Sequence, residues 1–239
     1  MTNHTASISQ HKAARLAGFM YLFALATAVY ASFYVRANLV VWGDAVATAN
    51  KITASEQVFR IGLAIDLFAF TGLVLLSLAL YVLLKPVNKT LSLLALFWWL
   101  GQAFILATVT LNDYIVLIFL SDTGYLSVFE TSQLQALSQV FLQAHLTGYN
   151  IGLIFFGLGS TVFSYLLLKS NYIPKILASF GIFASVLILA GTFAILIFPA
   201  REAIIYPFIN PPIAFYELII GLWLLFKGVN VQQAVPAAN

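Results

Sequence analysis

The chain has 239 residues, 62% of them hydrophobic, 15% aromatic and only 8% charged, with a net charge of +3 and a mean hydropathy of +0.98. A soluble domain carries about 25% charged residues, so this composition excludes a surface wetted on all sides and makes lipid the main solvent. The lack of cysteine excludes disulfides, thiolate zinc sites and cysteine nucleophiles.

A membrane-spanning helix needs about 20 apolar residues, and six stretches supply them. The chain opens on a polar segment, residues 1–12, without the basic start and small-residue cleavage pattern of a secretory signal. The spans expected in order are Ala14–Val35, Val58–Leu84, Leu91–Leu120, Leu142–Leu168, Ile176–Phe198 and Ile213–Phe226. The sixth is short, and Pro207, Pro211 and Pro212 blur its beginning. Pro212 suits a first helical turn, where the missing N–H has no partner anyway.

Two segments between spans are more than turns. Asp44–Gln57 carries Val46, Ala49, Ile52 and Ala54 and is expected to form a short interfacial helix. Thr131–Phe141 places Leu134, Leu137 and Val140 or Phe141 at helical spacing, as an amphipathic lead-in that lies on the surface or extends span four. Residues 229–239 are expected to form a disordered tail, so that one six-helix domain covers 13–228.

Charge sorts the helix ends. Lys12, Arg15, Lys85, Lys89, Lys169, Lys175 and Lys227 share one set of ends, with no acid among them. The opposite ends hold Asp44, Glu56, Asp122, Glu130 and Glu202 with Arg36, Lys51, Arg60 and Arg201. Basic residues mark cytoplasmic ends, so both termini are expected in the cytoplasm. The same topology explains the pI near 9.1, and no basic patch with interleaved aromatics suggests nucleic acid.

The remaining acids, Asp66, Asp113 and Glu217, fall inside the apolar stretches. An acid in hydrocarbon costs a few kcal/mol on insertion scales (about 2.5–3.5) and persists where it faces protein, water or a partner. Asp66 and Asn150 each stand 19 residues from the lysine ending their helix, Lys85 and Lys169, or roughly 28 Å at the helical rise. Asp113 and His145 stand 24 residues from Lys89 and Lys169, roughly 36 Å away. Glu217 is ten residues from Lys227, roughly 15 Å and near the bilayer centre. Gln102 shares a helix face with Asp113, and Tyr149 shares one with His145, while Gln143, Thr147 and Asn150 line another. Two polar stripes on one helix place span four among other protein. The candidate ligand-binding residues are thus Asp66, Gln102, Asp113, His145, Tyr149, Asn150 and Glu217.

Each has a plainer reading. Asp113 fits solvation at the outer water, His145 an interhelical hydrogen bond, and Asp66 a structural pair with Arg60, Arg36 or Arg201. Glu217 fits a protonated acid donating one interhelical bond. Gly148-Tyr-Asn-Ile-Gly152 fits close helix packing. Tyr81-Val-Leu-Leu-Lys85 resembles Tyr165-Leu-Leu-Leu-Lys169, a weak repeat that aligns Asp66 with Asn150. His145 with carboxylates suits a transition metal in principle, but no Glu-x-x-His or HExxH spacing occurs, and no metal ligand is assigned. Nucleophile-elbow, P-loop and dinucleotide glycine motifs are missing as well. No catalytic residue, cofactor or oligomeric state can be read.

Several stretches do resemble a known family. Arg15-Leu-Ala-Gly-Phe-Met-Tyr-Leu22, Trp42-Gly-Asp-Ala45, Ser55-Glu-Gln-Val-Phe-Arg60 running on to Asp66, Tyr81-Val-Leu-Leu-Lys-Pro-Val-Asn88 and Gly152-Leu-Ile-Phe-Phe-Gly157 are similar to the bacterial membrane family called domain of unknown function 4386. The resemblance covers about residues 13–228 and implies a six-helix protein of the bacterial inner membrane. It implies no substrate and no catalytic residue.

The leading functional expectation is an integral membrane protein that binds or moves a small apolar or amphipathic molecule through an outward-facing polar pocket. Its partners are then the lipid bilayer and that ligand, not nucleic acid. The alternatives are an accessory or structural subunit without a ligand and, ranked last, a lipid-modifying intramembrane enzyme. The orientation is checked by reporter fusion: a reporter after Lys227 should read as cytoplasmic and one in the 121–130 loop as external, and the reverse pattern refutes the charge argument.

Overall fold

The computed structural model describes residues 2–121 and 123–230, with side chains from residue 9 onward. Asp122 and the part of the expected tail from residue 231 lie outside the described residues. Among the described residues the chain is helix and turn, with no strand. In order, α1 is Thr2–Val29, continued by a π-helical turn Tyr30–Arg36 and the short α2 Ala37–Leu39. Then follow α3 Ala45–Ala54, α4 Glu56–Leu84, α5 Lys89–Phe119, α6 Thr131–Ser170, α7 Lys175–Ile197 and α8 Glu202–Leu222, the last continued by a π-helical turn Trp223–Lys227.

Among the described residues six helical segments are long and apolar enough to cross a membrane: Ser9–Leu39, Glu56–Leu84, Lys89–Phe119, Thr131–Ser170, Lys175–Ile197 and Pro199–Lys227. The protein is an all-α, multi-pass membrane protein. Helix is the form the medium demands, because hydrocarbon offers no water to satisfy a bare backbone N–H or C=O.

Two boundaries, at spans one and six, differ from the sequence reading, and at span four the second of its two alternatives holds. Span one runs past Val35 to Leu39, so Arg36 is inside a helical span and not in a loop. The lead-in at Thr131–Phe141 is continuous with span four as a single 40-residue helix, roughly 60 Å long at the helical rise. Span six begins at Pro199, well before Pro212, and α8 passes through Pro207, Pro211 and Pro212. Each proline removes one backbone hydrogen bond. Leaving the helix in lipid would bare many more, so the helix continues through them. Span four is also the most buried, with 56% of its apolar window covered against 28–44% in the others, in line with its two polar stripes.

The short helix expected after span one is α3. Asp44 caps it by accepting from the Ala47 N–H at 2.8 Å. Thr48, Ala49 and Ile52 are its buried face, while Val46 is exposed.

The chain divides into two compact units. The first comprises Met1–Leu25, Thr71–Ala103 and Asn150–Asn239; the second comprises Ala26–Phe70 and Phe104–Tyr149. The first is packed around aromatics and glycines. The Trp99 ring stacks on Phe156 with centroids 5.6 Å apart and meets the Tyr21 and Phe163 rings edge-on at 6.0 and 5.3 Å. Its indole N–H donates to the Phe156 carbonyl at 3.2 Å. A Cβ on Gly18 would strike the backbone of Gly221–Leu225, so α1 and the end of span six approach as closely as two helices can.

Gln10 is buried and donates from Nε2 to the Tyr172 hydroxyl at 2.9 Å. Burial raises the pKa of that hydroxyl above its ordinary value, and the Gln10 bond offsets part of the rise. After the last helix, Gly228 turns with φ 71°, Val229 is buried, and the Asn230 N–H donates to the Tyr172 carbonyl at 3.1 Å.

Gly18→Ala tests the close approach, since backbone cannot swing aside. It should cost about 1–3 kcal/mol of stability, read as a lower melting temperature in detergent. Gly124→Ala, where an added methyl meets nothing within 4 Å, should stay within about 0.5 kcal/mol.

Candidate functional site

The second unit holds Arg36, Asp66, Asp113 and His145. Two glycine contacts set the geometry. Gly62 on α4 lies against Val35, where an added Cβ would come 2.9 Å from Cγ1. Arg36 follows Val35, and Asp66 stands one turn beyond Gly62. On the other side Gly148 of α6 lies against the Val109 side chain of α5, with no space for a methyl between them. Asp113 is one turn beyond Val109 and His145 one turn before Gly148, so the antiparallel pair brings them face to face.

The four side chains meet at one atom. Arg36 Nη2 lies 2.9 Å from Asp66 Oδ2, 2.9 Å from Asp113 Oδ2 and 3.0 Å from His145 Nε2. A guanidinium only donates, so His145 Nε2 accepts, and the proton of a neutral ring sits on Nδ1. That Nδ1 is 3.1 Å from Asp113 Oδ2 but not aligned for a hydrogen bond. Nη2 has two hydrogens for three acceptors, so the acceptors share it. Asp113 Oδ1 is buried and has no hydrogen-bond partner. Side-chain exposure falls from 26% at Arg36 to 10% at Asp66 and 1% at Asp113. Arg36 is the edge of the cluster and Asp113 its interior.

The backbone that carries Arg36 is unusual. In the turn Tyr30–Arg36 the Ala37 N–H bonds to the Ser32 carbonyl, five residues back. A π-helical turn is wider than an α turn and recurs at functional sites.

The other candidates are not among the four residues that meet at Nη2. Tyr149 belongs to the same unit and is about one-third exposed. Gln102, Asn150 and Glu217 belong to the first unit. Gln102 is buried with Oε1 unpartnered. Asn150 Oδ1 accepts from the Tyr206 hydroxyl. Glu217 is half-buried, within electrostatic reach of Tyr21 and Tyr216, and Tyr216 shares a hydrogen bond with Ser164 at 3.1 Å. Of the basic partners considered for Asp66, Arg36 is the one that pairs with it. Arg60 pairs with Glu56 at 2.7 Å on the exposed face of α4. Asp113 is not solvated at the outer water; it is buried and paired.

Three of the possible metal ligands converge, but on a guanidinium, and among the described residues no group of three or more His, Asp or Glu is placed to hold a metal ion.

Against known proteins, a model of the family described as Domain of unknown function (DUF4386) matches residues 16–228. The chain belongs to that family. No curated protein and no solved structure matches it. The DUF4386 match contains the whole Arg36 cluster and every other candidate residue. Arg36 is the member of the cluster that the sequence reading left out of its candidates. A single arginine immediately after an unbroken apolar stretch was the available signal.

Truncating Arg36 strands two carboxylates. Arg36→Ala should destabilise this DUF4386 protein by about 3–5 kcal/mol, the loss typical of breaking a buried pair. Combining Arg36→Met with Asp66→Asn and Asp113→Asn removes charge and partners together and should recover much of that loss, read as melting temperature in detergent. A triple variant less stable than Arg36→Ala refutes charge pairing as the source of the effect.

Proposed function

We propose that this protein binds a small amphipathic molecule at the Arg36 cluster, with the ligand's apolar part in the lipid-facing region and its polar head at the guanidinium. One observation carries the reading: polar side chains from spans two, three and four converge on Nη2 of Arg36 in span one, beside a buried Asp113 oxygen that has no hydrogen-bond partner. Ionisable groups inside spans are costly and mark ligand or ion sites more often than they mark packing. The order of exposure adds to this. A molecule arriving from the surface meets Arg36 first, so a head bearing carbonyl, hydroxyl or phosphate acceptors suits it best.

In this reading the protein sits in the bacterial inner membrane with both termini cytoplasmic and the cluster toward the outer side. Support comes from the lysine-rich ends and from the distance of Asp113 and His145 from them. Movement of the ligand across the membrane is a further step of the same reading, and the wide turn under Arg36 is the element suited to it.

A second reading is favoured by the contacts themselves. One guanidinium ties four spans together, which is what a structural clamp in an accessory subunit requires.

Mass spectrometry of small molecules retained after gentle purification separates the two. Under the binding reading, a compound retained by the wild type should fall at least tenfold in Asp66→Asn and Asp113→Asn and persist in Glu217→Gln. If all four proteins retain the same compounds while the two aspartate variants melt lower, the cluster is a clamp and the binding reading fails.

A further inference from the structure

The first unit has an open cavity of about 460 Å³ lined by Asn171, Tyr172, Ile173, Pro174, Lys175, Trp223 and Asn230. It lies where span four ends, span five begins and span six ends, at the set of helix ends that holds lysines and no acids. Its wall has one formal charge, Lys175, and that charge is positive. A second is close by: Lys227 Nζ stands 5.1 Å from the centre of the Trp223 ring. No Asp or Glu occurs between residues 146 and 201 or after Glu217, so nothing along these segments neutralises either lysine.

The remaining lining suits the level of the lipid head groups. Trp223 and Tyr172 are the residue types that settle at a membrane–water boundary. Asn171 and Asn230 bring amide donors. Asn171 holds a left-handed backbone, φ 56°, which asparagine tolerates better than most residues. The Tyr172 main chain is fixed from both sides, by Ser170 Oγ on its N–H at 3.2 Å and by the Asn230 N–H on its carbonyl at 3.1 Å. The cavity is therefore a held shape.

We infer that this cavity binds a phosphate-bearing anion, with Lys175, Lys227 and the Asn171 and Asn230 amides on the phosphate and Trp223 beside it. The chemistry is that of a phosphodiester head group in the lysine-side leaflet, or of a free phosphate. Basic pockets between helices at a cytoplasmic face take anionic lipid heads in this way. The inference is independent of the Arg36 cluster, which lies in the other unit.

The test uses the full chain, delipidated in detergent, with short-chain phosphatidylglycerol, short-chain phosphatidylcholine and inorganic phosphate as separate probes. Native mass spectrometry and melting temperature are the readouts. Phosphatidylglycerol should bind one per chain and raise the melting temperature, and phosphatidylcholine should do so far less. Lys175→Ala should weaken phosphatidylglycerol roughly fivefold, the worth of one lysine near an anionic surface. Asn230→Asp, which puts a carboxylate in the lining and leaves the backbone bond to Tyr172 in place, should weaken it at least as much. If inorganic phosphate alone gives the whole effect with the same dependence on Lys175, the site stands and its anion is free phosphate. Equal binding of the two lipids, or anion binding indifferent to both substitutions, overturns the inference.

Discussion

A guanidinium within a membrane span is the constraint around which the second unit is arranged. Arginine cannot shed its charge as a lysine or a carboxyl can, so Arg36 must be met by acceptors or held at the edge of the hydrocarbon. Here both occur. Nη2 is met by Asp66, Asp113 and His145, and part of the side chain stays exposed. Each acceptor comes from a different span, so satisfying one nitrogen fixes which faces of four helices meet. Such a cluster adds little net stability, since desolvation offsets much of the attraction. Its effect is on specificity: rotating any one span would strand a charged or polar group in lipid.

The first unit depends on a different kind of contact. Lipid tails are as apolar as leucine, so burial alone gives helices little reason to associate, and close packing has to supply it. Gly18 lets two backbones touch, Gly159 makes space for the Trp99 indole, and Gly181 makes space for the Tyr216 ring. Trp99 then joins residues of spans one, three and four through Tyr21, Phe156 and Phe163. Isolated polar groups are tolerated there when a single partner is in reach, as with Asn150 and Tyr206 or Ser164 and Tyr216.

This contrast decides what was legible in the sequence. The six spans are, because lipid imposes one requirement on every residue of a span and hydropathy measures it directly. The importance of Asp66, Asp113 and His145 is legible for the same reason, since an ionisable group in a span needs a partner wherever that partner is. Which partner it finds is not. Depth puts Asp113 and His145 at one level, but pairing depends on Gly148 meeting Val109, a contact between helices that spacing along one helix does not encode. Depth also suggested grouping Asn150 and Glu217 with Asp66 and His145, yet those residues divide between the two units. Arg36 was read as outside because the apolar run stops at Val35, whereas a helix in lipid ends where its backbone can be satisfied. In span six the same preference carries α8 through three prolines that read as a boundary.

Charge is distributed by the same logic across the whole chain. Asp44 caps α3, Glu56 pairs with Arg60, and Asp66 and Asp113 share Arg36. These acids are thus engaged at one set of ends or within the spans, close to where they occur. The lysines at the other ends have no acids to meet. The excess of +3 is therefore not spread evenly along the chain, because no acid lies at the helix ends that hold Lys12, Lys85, Lys89, Lys169, Lys175 and Lys227. A positive end of this kind has an energetic consequence that a mixed surface lacks. Its field is opposed only by mobile counterions and by whatever anions the adjacent leaflet presents. The same distribution of charge thus determines which charge of molecule that end attracts.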